Sequence, residues 1–200
     1  MPTPVQVQSG CPVLDRYVAE VGEIVRSSAS PAETVARVKQ ASELLCSEQG
    51  FGLPEHLARQ CEGVPYTRNL IYQDPGRKFA VIALVWGPFQ ETRVHDHLNW
   101  CVVKVLEGRC HSVEFDRLDD ESVPNFADLR IRASQVCEAG SVMGLLPPPR
   151  SNIHRMSNGG RARAVTIHTY GDPGTRARVF DPQSGAVSVV ELEFHNSAGK

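Results

Sequence analysis

The chain has 200 residues, of which 41% are hydrophobic and 22% charged, so it is long enough for one sizeable core and too short for two ordinary domains. Lys and Arg total 21 against 23 Asp and Glu, which argues against a nucleic acid or an anionic membrane surface as partner. No apolar run approaches the roughly 20 residues needed to cross a bilayer, and no signal-peptide pattern is present. We therefore expect one cytoplasmic domain, residues 1–200, acting as a monomer or a small homo-oligomer.

Residues 1–63 are predicted to be helical. A first helix has an apolar face of residues that recur every three or four positions, namely Leu14, Val18, Val21 and Val25. The capping box Ser30-Pro31-Ala32-Glu33 begins a second helix, which is expected to stop at Gly50 and Gly52. A short third helix is expected over residues 54–60. We expect these helices to cover one flank of the β region, because they carry no chemical constellation.

Residues 64–195 are predicted to form a β-barrel. Short apolar runs, separated by turns rich in Gly, Pro, Asn and Asp, follow one another without a helical pattern between them. The candidate strands are residues 67–72, 79–86, 93–97, 101–107, 109–115, 130–137, 141–145, 153–156, 164–170, 176–180 and 186–193. This spacing is typical of an antiparallel barrel or sandwich, so the predicted fold class is mainly β.

The six cysteines are scattered and form no CxxC pair, which favours reduced thiols in a chain without a signal peptide. Cys101 stands out because His95 and His97 closely precede it. Strand alternation places these two histidines on one face and Asp96 on the other. Imidazoles roughly 7 Å apart along a strand can converge on one metal ion, although two histidines also fall at this spacing by chance. A third histidine, His154, opens a later segment.

The two histidine segments together resemble the paired motifs of the cupin superfamily. The motifs are His95-x-His97-x3-Cys101-x6-Gly108, and then Gly140, Pro147 to Pro149 and His154-x3-Asn158. The resemblance implies a double-stranded β-helix, or jelly-roll, barrel with the N-terminal helices packed on it. It also implies a metal site formed by His95, His97 and His154. Cys101 stands where many cupins have a ligating glutamate.

The chain further resembles one family within the cupins, the thiol dioxygenases typified by cysteine dioxygenase. The matching segments are Tyr66-Thr67-Arg68-Asn69-Leu70, Val85-Trp86-Gly87 with the histidine pair, Leu106-Glu107-Gly108, and Thr166-x-His168-x-Tyr170. The resemblance implies that Arg68 binds the substrate carboxylate, for which a planar, always charged fork is well suited. It also implies that Thr166, His168 and Tyr170 form an outer-sphere triad, with the phenol of Tyr170 next to the metal site.

Cys101 has two further interpretations. In relatives resembling animal cysteine dioxygenase, the matching cysteine is crosslinked to the triad tyrosine as a thioether, and both partners, Cys101 and Tyr170, are present here. Alternatively, the thiolate of Cys101 could complete a tetrahedral structural zinc site with the three histidines. Without the glutamate, three neutral imidazoles leave open positions for a chelating thiol and dioxygen.

Departures from animal cysteine dioxygenases leave the substrate open. The loop before Cys101 is one residue shorter and carries Trp100, a candidate substrate contact in an arrangement closer to bacterial mercaptopropionate dioxygenases. Those enzymes bind the carboxylate with a later arginine, for which Arg176 and Arg178 are candidates. Arg68 alone in the cavity favours cysteine. Arg68 together with a later arginine favours a thiol with two acidic groups, such as mercaptosuccinate.

The sequence therefore predicts a thiol dioxygenase that oxidises L-cysteine, or a related small carboxylate-bearing thiol, with O2 to the sulfinic acid. Fe2+ is the expected metal because zinc has no redox chemistry, and nickel or another first-row ion is the alternative because histidines discriminate poorly. The other functions considered are a 3-mercaptopropionate or mercaptosuccinate dioxygenase, a biosynthetic cupin converting cysteine through S-oxidation, and a non-catalytic metal-binding cupin. His56, His111 and His195 match no motif and are expected to be solvated or packed.

Overall fold

The computed structural model of the chain describes residues 9–46, 51–147, 152–172 and 174–196. The helices are α1 (Pro12–Ser27) and α2 (Pro31–Ala41), and α2 continues into a 3₁₀ turn (Ser42–Leu45). The strands are β1 (Thr67–Gln73), β2 (Ala80–Trp86), β3 (Val94–His95), β4 (Cys101–Glu107), β5 (Arg109–Arg117), β6 (Leu129–Glu138), β7 (Val142–Leu145), β8 (Ile153–Ser157), β9 (Ala164–Tyr170), β10 (Arg176–Phe180) and β11 (Val187–Glu191). None of the helices within these ranges is long and apolar enough to span a membrane.

The strands form two antiparallel sheets, with the orders β1-β2-β9-β4-β7 and β11-β10-β3-β8-β5-β6. Side chains of both sheets meet in one buried cluster, in which Ile82 and Val103 of the first sheet join Cys110 and Met156 of the second. The chain passes from one sheet to the other at Gly108, where φ is +71° and a side chain would meet a backbone oxygen at 2.7 Å. This is a cupin jelly-roll barrel, and the predicted fold class is confirmed.

The helices cover the outer face of the five-stranded sheet, as predicted. Side chains of α1 and α2 share a core with outward-facing residues of that sheet, namely Val81, Ala83, Val102 and Ile167. The hydroxyls of Tyr17 and Thr169 form a hydrogen bond of 2.6 Å across the same boundary. β7 runs so close to α2 that a side chain at Gly144 would meet Val35 at 2.5 Å. The helices therefore cover the outer face of the five-stranded sheet, and the candidate site lies in the interior between the two sheets.

Helix α2 begins with the predicted capping box. Ser30 Oγ accepts a hydrogen bond from the Glu33 amide at 3.2 Å, and the Glu33 carboxylate accepts one from the Ala29 amide at 2.9 Å. The α-helix ends at Ala41, earlier than the stop predicted at Gly50 and Gly52. Gly50 lies outside the described residues.

The predicted third helix over residues 54–60 was wrong, because this segment makes only one turn. In a helix, the carbonyl of Leu57 would accept from the amide of Cys61. Here that amide donates to Thr67 Oγ1 at 2.7 Å, and the carbonyl accepts from Asn69 Nδ2 at 2.9 Å. Side chains of β1 thus capture the groups that would have continued the helix.

The predicted strands all occur within a few residues of their expected bounds. The largest difference is in segment 93–97, where only Val94–His95 pairs as a strand. His97 lies beyond the strand end, and its carbonyl accepts a hydrogen bond from the Asn152 side chain. Of the predicted turn Pro147 to Pro149, residues 148 and 149 lie outside the described ranges.

Candidate active site

A cavity of about 640 Å³ lies between the two sheets and opens to the surface. Five histidines line it, and the sheet register brings two of them together because His95 of β3 lies directly opposite His154 of β8. His97 follows two positions after His95, and their Nε2 atoms are 3.1 Å apart. His95, His97 and His154 each offer one ring nitrogen as a ligand atom, and these three nitrogens all lie within 4.8 Å of one another. Among the described residues, this is the cluster with the geometry of a metal site.

The environment of the histidines suits a metal ion. His154 Nε2 is buried and has no hydrogen-bond partner among the described residues, so a metal ion would satisfy it. His95 Nδ1 lies 3.0 Å from the Arg93 carbonyl, to which it donates in the tautomer that leaves Nε2 as the free lone pair. Burial, followed by the neighbouring histidines, holds the pKa of His97 and of His154 well below the ordinary value of 6.5. Neutral imidazoles are the form that binds a metal ion.

Cys101 is close to the histidines in the sequence but does not belong to their cluster. It lies directly opposite Tyr170 in the β4–β9 pairing, and the two side chains interact electrostatically. Burial raises the pKa of the Cys101 thiol well above its ordinary value. Because Cys101 lies outside the histidine cluster, the structure does not support a structural zinc site with a thiolate as fourth ligand.

Three alternate residues of β9 form a hydrogen-bonded row along the wall of the barrel. Thr166 Oγ1 lies 2.9 Å from His168 Nε2, and His168 Nδ1 lies 2.9 Å from the Tyr170 hydroxyl. Burial lowers the pKa of His168 to about 3, so its imidazole is neutral at ordinary pH. Burial also raises the pKa of Tyr170, which keeps the phenol protonated. The Tyr170 ring stands at 90° to the ring of His97, so the row ends beside the histidine cluster.

Arg68 of β1 lines the same cavity and is only 8% exposed. Its guanidinium lies 5.3 Å from the centroid of the Phe194 ring, and Nη1 reaches the Glu193 carbonyl at 3.5 Å. None of the ion pairs formed by the described residues involves Arg68. A buried cation is normally paired, so this one is suited to receive an anionic group in the cavity.

Comparison with known proteins identifies the family to which the chain belongs. A family model described as cysteine dioxygenase type I matches residues 4–183. The chain belongs to the cysteine dioxygenase family. Cysteine dioxygenase type 1 of Rattus norvegicus is 30% identical over 138 residues, covering 67% of this chain and 64% of the relative. The Homo sapiens protein of that name is 31% identical over 139 residues, with the same coverage. The matches thus span less than two thirds of these relatives' length.

Solved structures also resemble the chain. A protein with a double-stranded β-helix domain from Klebsiella pneumoniae subsp. pneumoniae aligns with a TM-score of 0.43 and 14% identity, covering 68% of this chain and 93% of that one. Oxalate oxidase in complex with glycolate, a substrate analogue, aligns with a TM-score of 0.45 and 19% identity, covering 64% and 65%.

The C-terminal segment forms a wall of the site that was not predicted for this member of the cysteine dioxygenase family. Leu192, Glu193 and His195 line the cavity. The backbone of Arg68 donates to His195 Nδ1 at 2.9 Å, and its carbonyl accepts from the His195 amide at 2.8 Å. His195 was expected to be solvated or packed, and its role as a partner of β1 was missed. No sequence signal pairs these positions, which are 127 residues apart.

The two later arginines occupy different places. Arg178 pairs with the buried Asp96, with Nε 2.7 Å from its carboxylate, and is not part of the cavity wall. Arg176 lines the mouth of the cavity, where its side chain is 70% exposed and bonded to Glu191 at 2.6 Å. Arg68 is therefore the arginine that lies buried within the cavity.

Trp100 lies at the edge of the cavity and is 6% exposed. Its indole packs against Gly171, where a side chain would meet Nε1 at 2.3 Å, and its carbonyl accepts from the Gly171 amide at 3.0 Å. It also belongs to the core shared with the helices. Tyr66, Leu84 and Met156 line the same cavity and were not singled out from the sequence. Tyr66 was detectable in principle, because alternation places it on the same face as Arg68.

Proposed function

We propose that the protein is a metal-dependent thiol dioxygenase that oxidises L-cysteine, or a closely related thiol with a single carboxylate, to the sulfinic acid. The observation that carries the proposal is that the histidine cluster and the buried Arg68 open onto one cavity. The cavity thus joins a metal-binding cluster to a cation that has no ion-pair partner among the described residues, and such a cavity selects small molecules with both a metal ligand and an acidic group.

His95, His97 and His154 would hold the metal through one nitrogen each. Fe2+ is the metal we propose, because an all-histidine site with open positions suits dioxygen chemistry and zinc offers none. When bound, iron supplies the coordination of the thiolate and the activation of O2. Burial lowers the pKa of all three imidazoles and so favours their neutral form, from which no proton has to leave before the metal binds.

Arg68 would bind the substrate carboxylate as a bidentate fork. Phe194 holds the guanidinium from one side, so that the donors directed at the cavity are ordered before the substrate arrives. We place the carboxylate here and not at Arg176, because Arg176 already binds Glu191 at the solvent-exposed mouth. A single buried cation favours a thiol with one carboxylate over mercaptosuccinate.

Tyr170 would act as the proton donor and hydrogen-bonding group beside the reacting sulfur and oxygen atoms. Its raised pKa keeps the hydroxyl protonated, and a hydrogen bond to the neutral His168 fixes the position of the hydroxyl oxygen. Cys101 lies directly opposite Tyr170 in the sheet. We propose that the two side chains become joined by a thioether during turnover, with the two displaced hydrogens passing to O2. Mass spectrometry would detect the loss of two hydrogen atoms in wild type and not in Cys101→Ser.

The function is tested by loading the protein anaerobically with Fe2+ or Ni2+ and measuring O2 uptake with cysteine, 3-mercaptopropionate and mercaptosuccinate. We expect uptake with cysteine and the iron form, with a product heavier by two oxygen atoms. A heavier product lacking the amine or the carboxylate would indicate a biosynthetic cupin. Bound metal without uptake for any thiol would contradict the dioxygenase and indicate a non-catalytic cupin. His154→Ala, which removes one ligand, is the matched control.

A further inference from the structure

The row of hydrogen bonds on β9 does not begin at Thr166. The indole Nε1 of Trp86 lies 3.0 Å from Thr166 Oγ1. Trp86 is fully buried at the end of β2, two positions after Leu84, which lies directly opposite Thr166. Its ring stacks on that of Tyr66, with centroids 4.9 Å apart. An indole N–H can only donate, so this first hydrogen bond has a fixed direction.

The fixed direction of the first bond determines the others. Thr166 Oγ1 receives the indole hydrogen, and the hydroxyl hydrogen of Thr166 then needs its own acceptor. Among the hydrogen bonds of the described residues, the acceptor within reach is His168 Nε2. The hydrogen of the neutral imidazole therefore lies on Nδ1 and is donated to the Tyr170 oxygen at 2.9 Å. In this arrangement the indole, the threonine hydroxyl and the imidazole each donate to an acceptor, and these three side chains are buried.

The last member of the row is the one that faces the cavity. Because the Tyr170 oxygen accepts from His168, the hydroxyl hydrogen of Tyr170 is free to point away from His168, toward Cys101 and the cavity. With the opposite tautomer, His168 would accept this hydrogen, and the phenol would present only a lone pair to a ligand. The direction of the row thus decides whether Tyr170 is a donor or an acceptor at the reacting atoms.

We propose that Trp86 is a positioning residue that sets this direction, holding His168 in the Nδ1–H tautomer and thereby making Tyr170 a hydrogen-bond donor toward the substrate. Trp86 acts through Thr166 and contacts no reacting atom. Its effect on turnover rests on the proposed function, whereas its effect on the tautomer does not.

The tautomer can be measured by nitrogen NMR on the metal-free protein labelled with 15N-histidine, with His168→Gln to assign the signal. We expect the Nδ1–H form of His168 in wild type and in Thr166→Ser, which keeps the hydroxyl. Trp86→Phe keeps the aromatic stack but loses the donor, and it should populate the Nε2–H form. The Nε2–H form in wild type, or an unchanged tautomer in Trp86→Phe, would overturn the proposal. The wild-type result remains decisive if Trp86→Phe does not fold.

A kinetic measurement tests the consequence for Tyr170. Trp86→Phe should lower kcat for the accepted thiol by about two- to tenfold, the value of one hydrogen bond, with little change in KM. The same substitution in a Tyr170→Phe background should have no further effect, because the donor it directs is gone. Equal losses in both backgrounds would show a general structural role and contradict the proposal. If no thiol is oxidised by wild type, the function fails while the NMR result still decides the role of Trp86.

Discussion

Replacement of Arg68 by alanine tests the assignment of the carboxylate site most directly. Arg68 is 8% exposed and forms no ion pair with another described residue, so a bound carboxylate would be its charged partner in a desolvated setting. Truncating one member of a buried, hydrogen-bonded charge pair costs about 2–5 kcal/mol. At 1.36 kcal/mol per factor of ten, kcat/KM for cysteine should fall by about 30- to 5,000-fold in Arg68→Ala.

The assay compares cysteine with cysteamine, which has the thiol and amine but no carboxylate. Activity toward cysteamine should be the same in wild type and Arg68→Ala, because the deleted contact is absent for this substrate. Arg176→Ala is the matched control, since an exposed ion pair contributes about 0–1 kcal/mol and its loss should change kcat/KM less than about fivefold. Equal losses for both thiols in Arg68→Ala, or a loss for cysteine confined to Arg176→Ala, would refute the assignment.

Three further predictions follow from contacts at the site. Phe194→Ala removes the ring behind the Arg68 guanidinium and should raise KM for cysteine with a smaller change in kcat, and an unchanged KM in steady-state kinetics would contradict this role. His154→Ala should lower the metal content measured by elemental analysis, whereas His56→Ala should not. The pKa of His168 falls from 6.5 to about 3 on folding, so the folded protein binds fewer protons and the free energy of unfolding should decrease as the pH drops below 6.5. The contribution of His168 is at most about 1.4 kcal/mol per pH unit. When the free energy of unfolding is measured by urea denaturation at several pH values, it should depend less steeply on pH in His168→Gln than in wild type.

Much of the fold could be predicted because it is encoded locally. Alternating apolar runs and turn residues located the strands of both sheets, and the capping box at Ser30 located the start of α2. The segment around residues 54–60 shows where local pattern fails. Its composition allows a helix, but side chains of β1 compete for the same backbone groups. Those competitors belong to a strand whose position is set by tertiary packing, so the local sequence does not report them.

Residues that approach the site from distant parts of the chain were harder to find. The row from Thr166 to Tyr170 lies on one strand, where alternation relates its members directly. The contacts of Arg68 with Phe194 and His195 depend on how the C-terminal segment returns to the edge of β1. Edge pairing is specified by hydrogen bonds of the backbone, which nearly every residue type offers, and so leaves little trace in the sequence.

The two later arginines show why alternation alone does not place a side chain in a cavity. Alternation gives Arg176 and Arg178 the same face of β10, but it does not say which face looks inward. The register answers this, because Val179 lies opposite His95 and therefore shares its inward face. Both arginines must then point away from the barrel interior, and Arg178 pairs with the buried Asp96, which follows His95 in the chain. Arg176 reaches the mouth only from the first position of its strand. The pairing of Val179 with His95 thus leaves Arg68 as the buried arginine of the cavity. This supports the proposal of a substrate with one carboxylate.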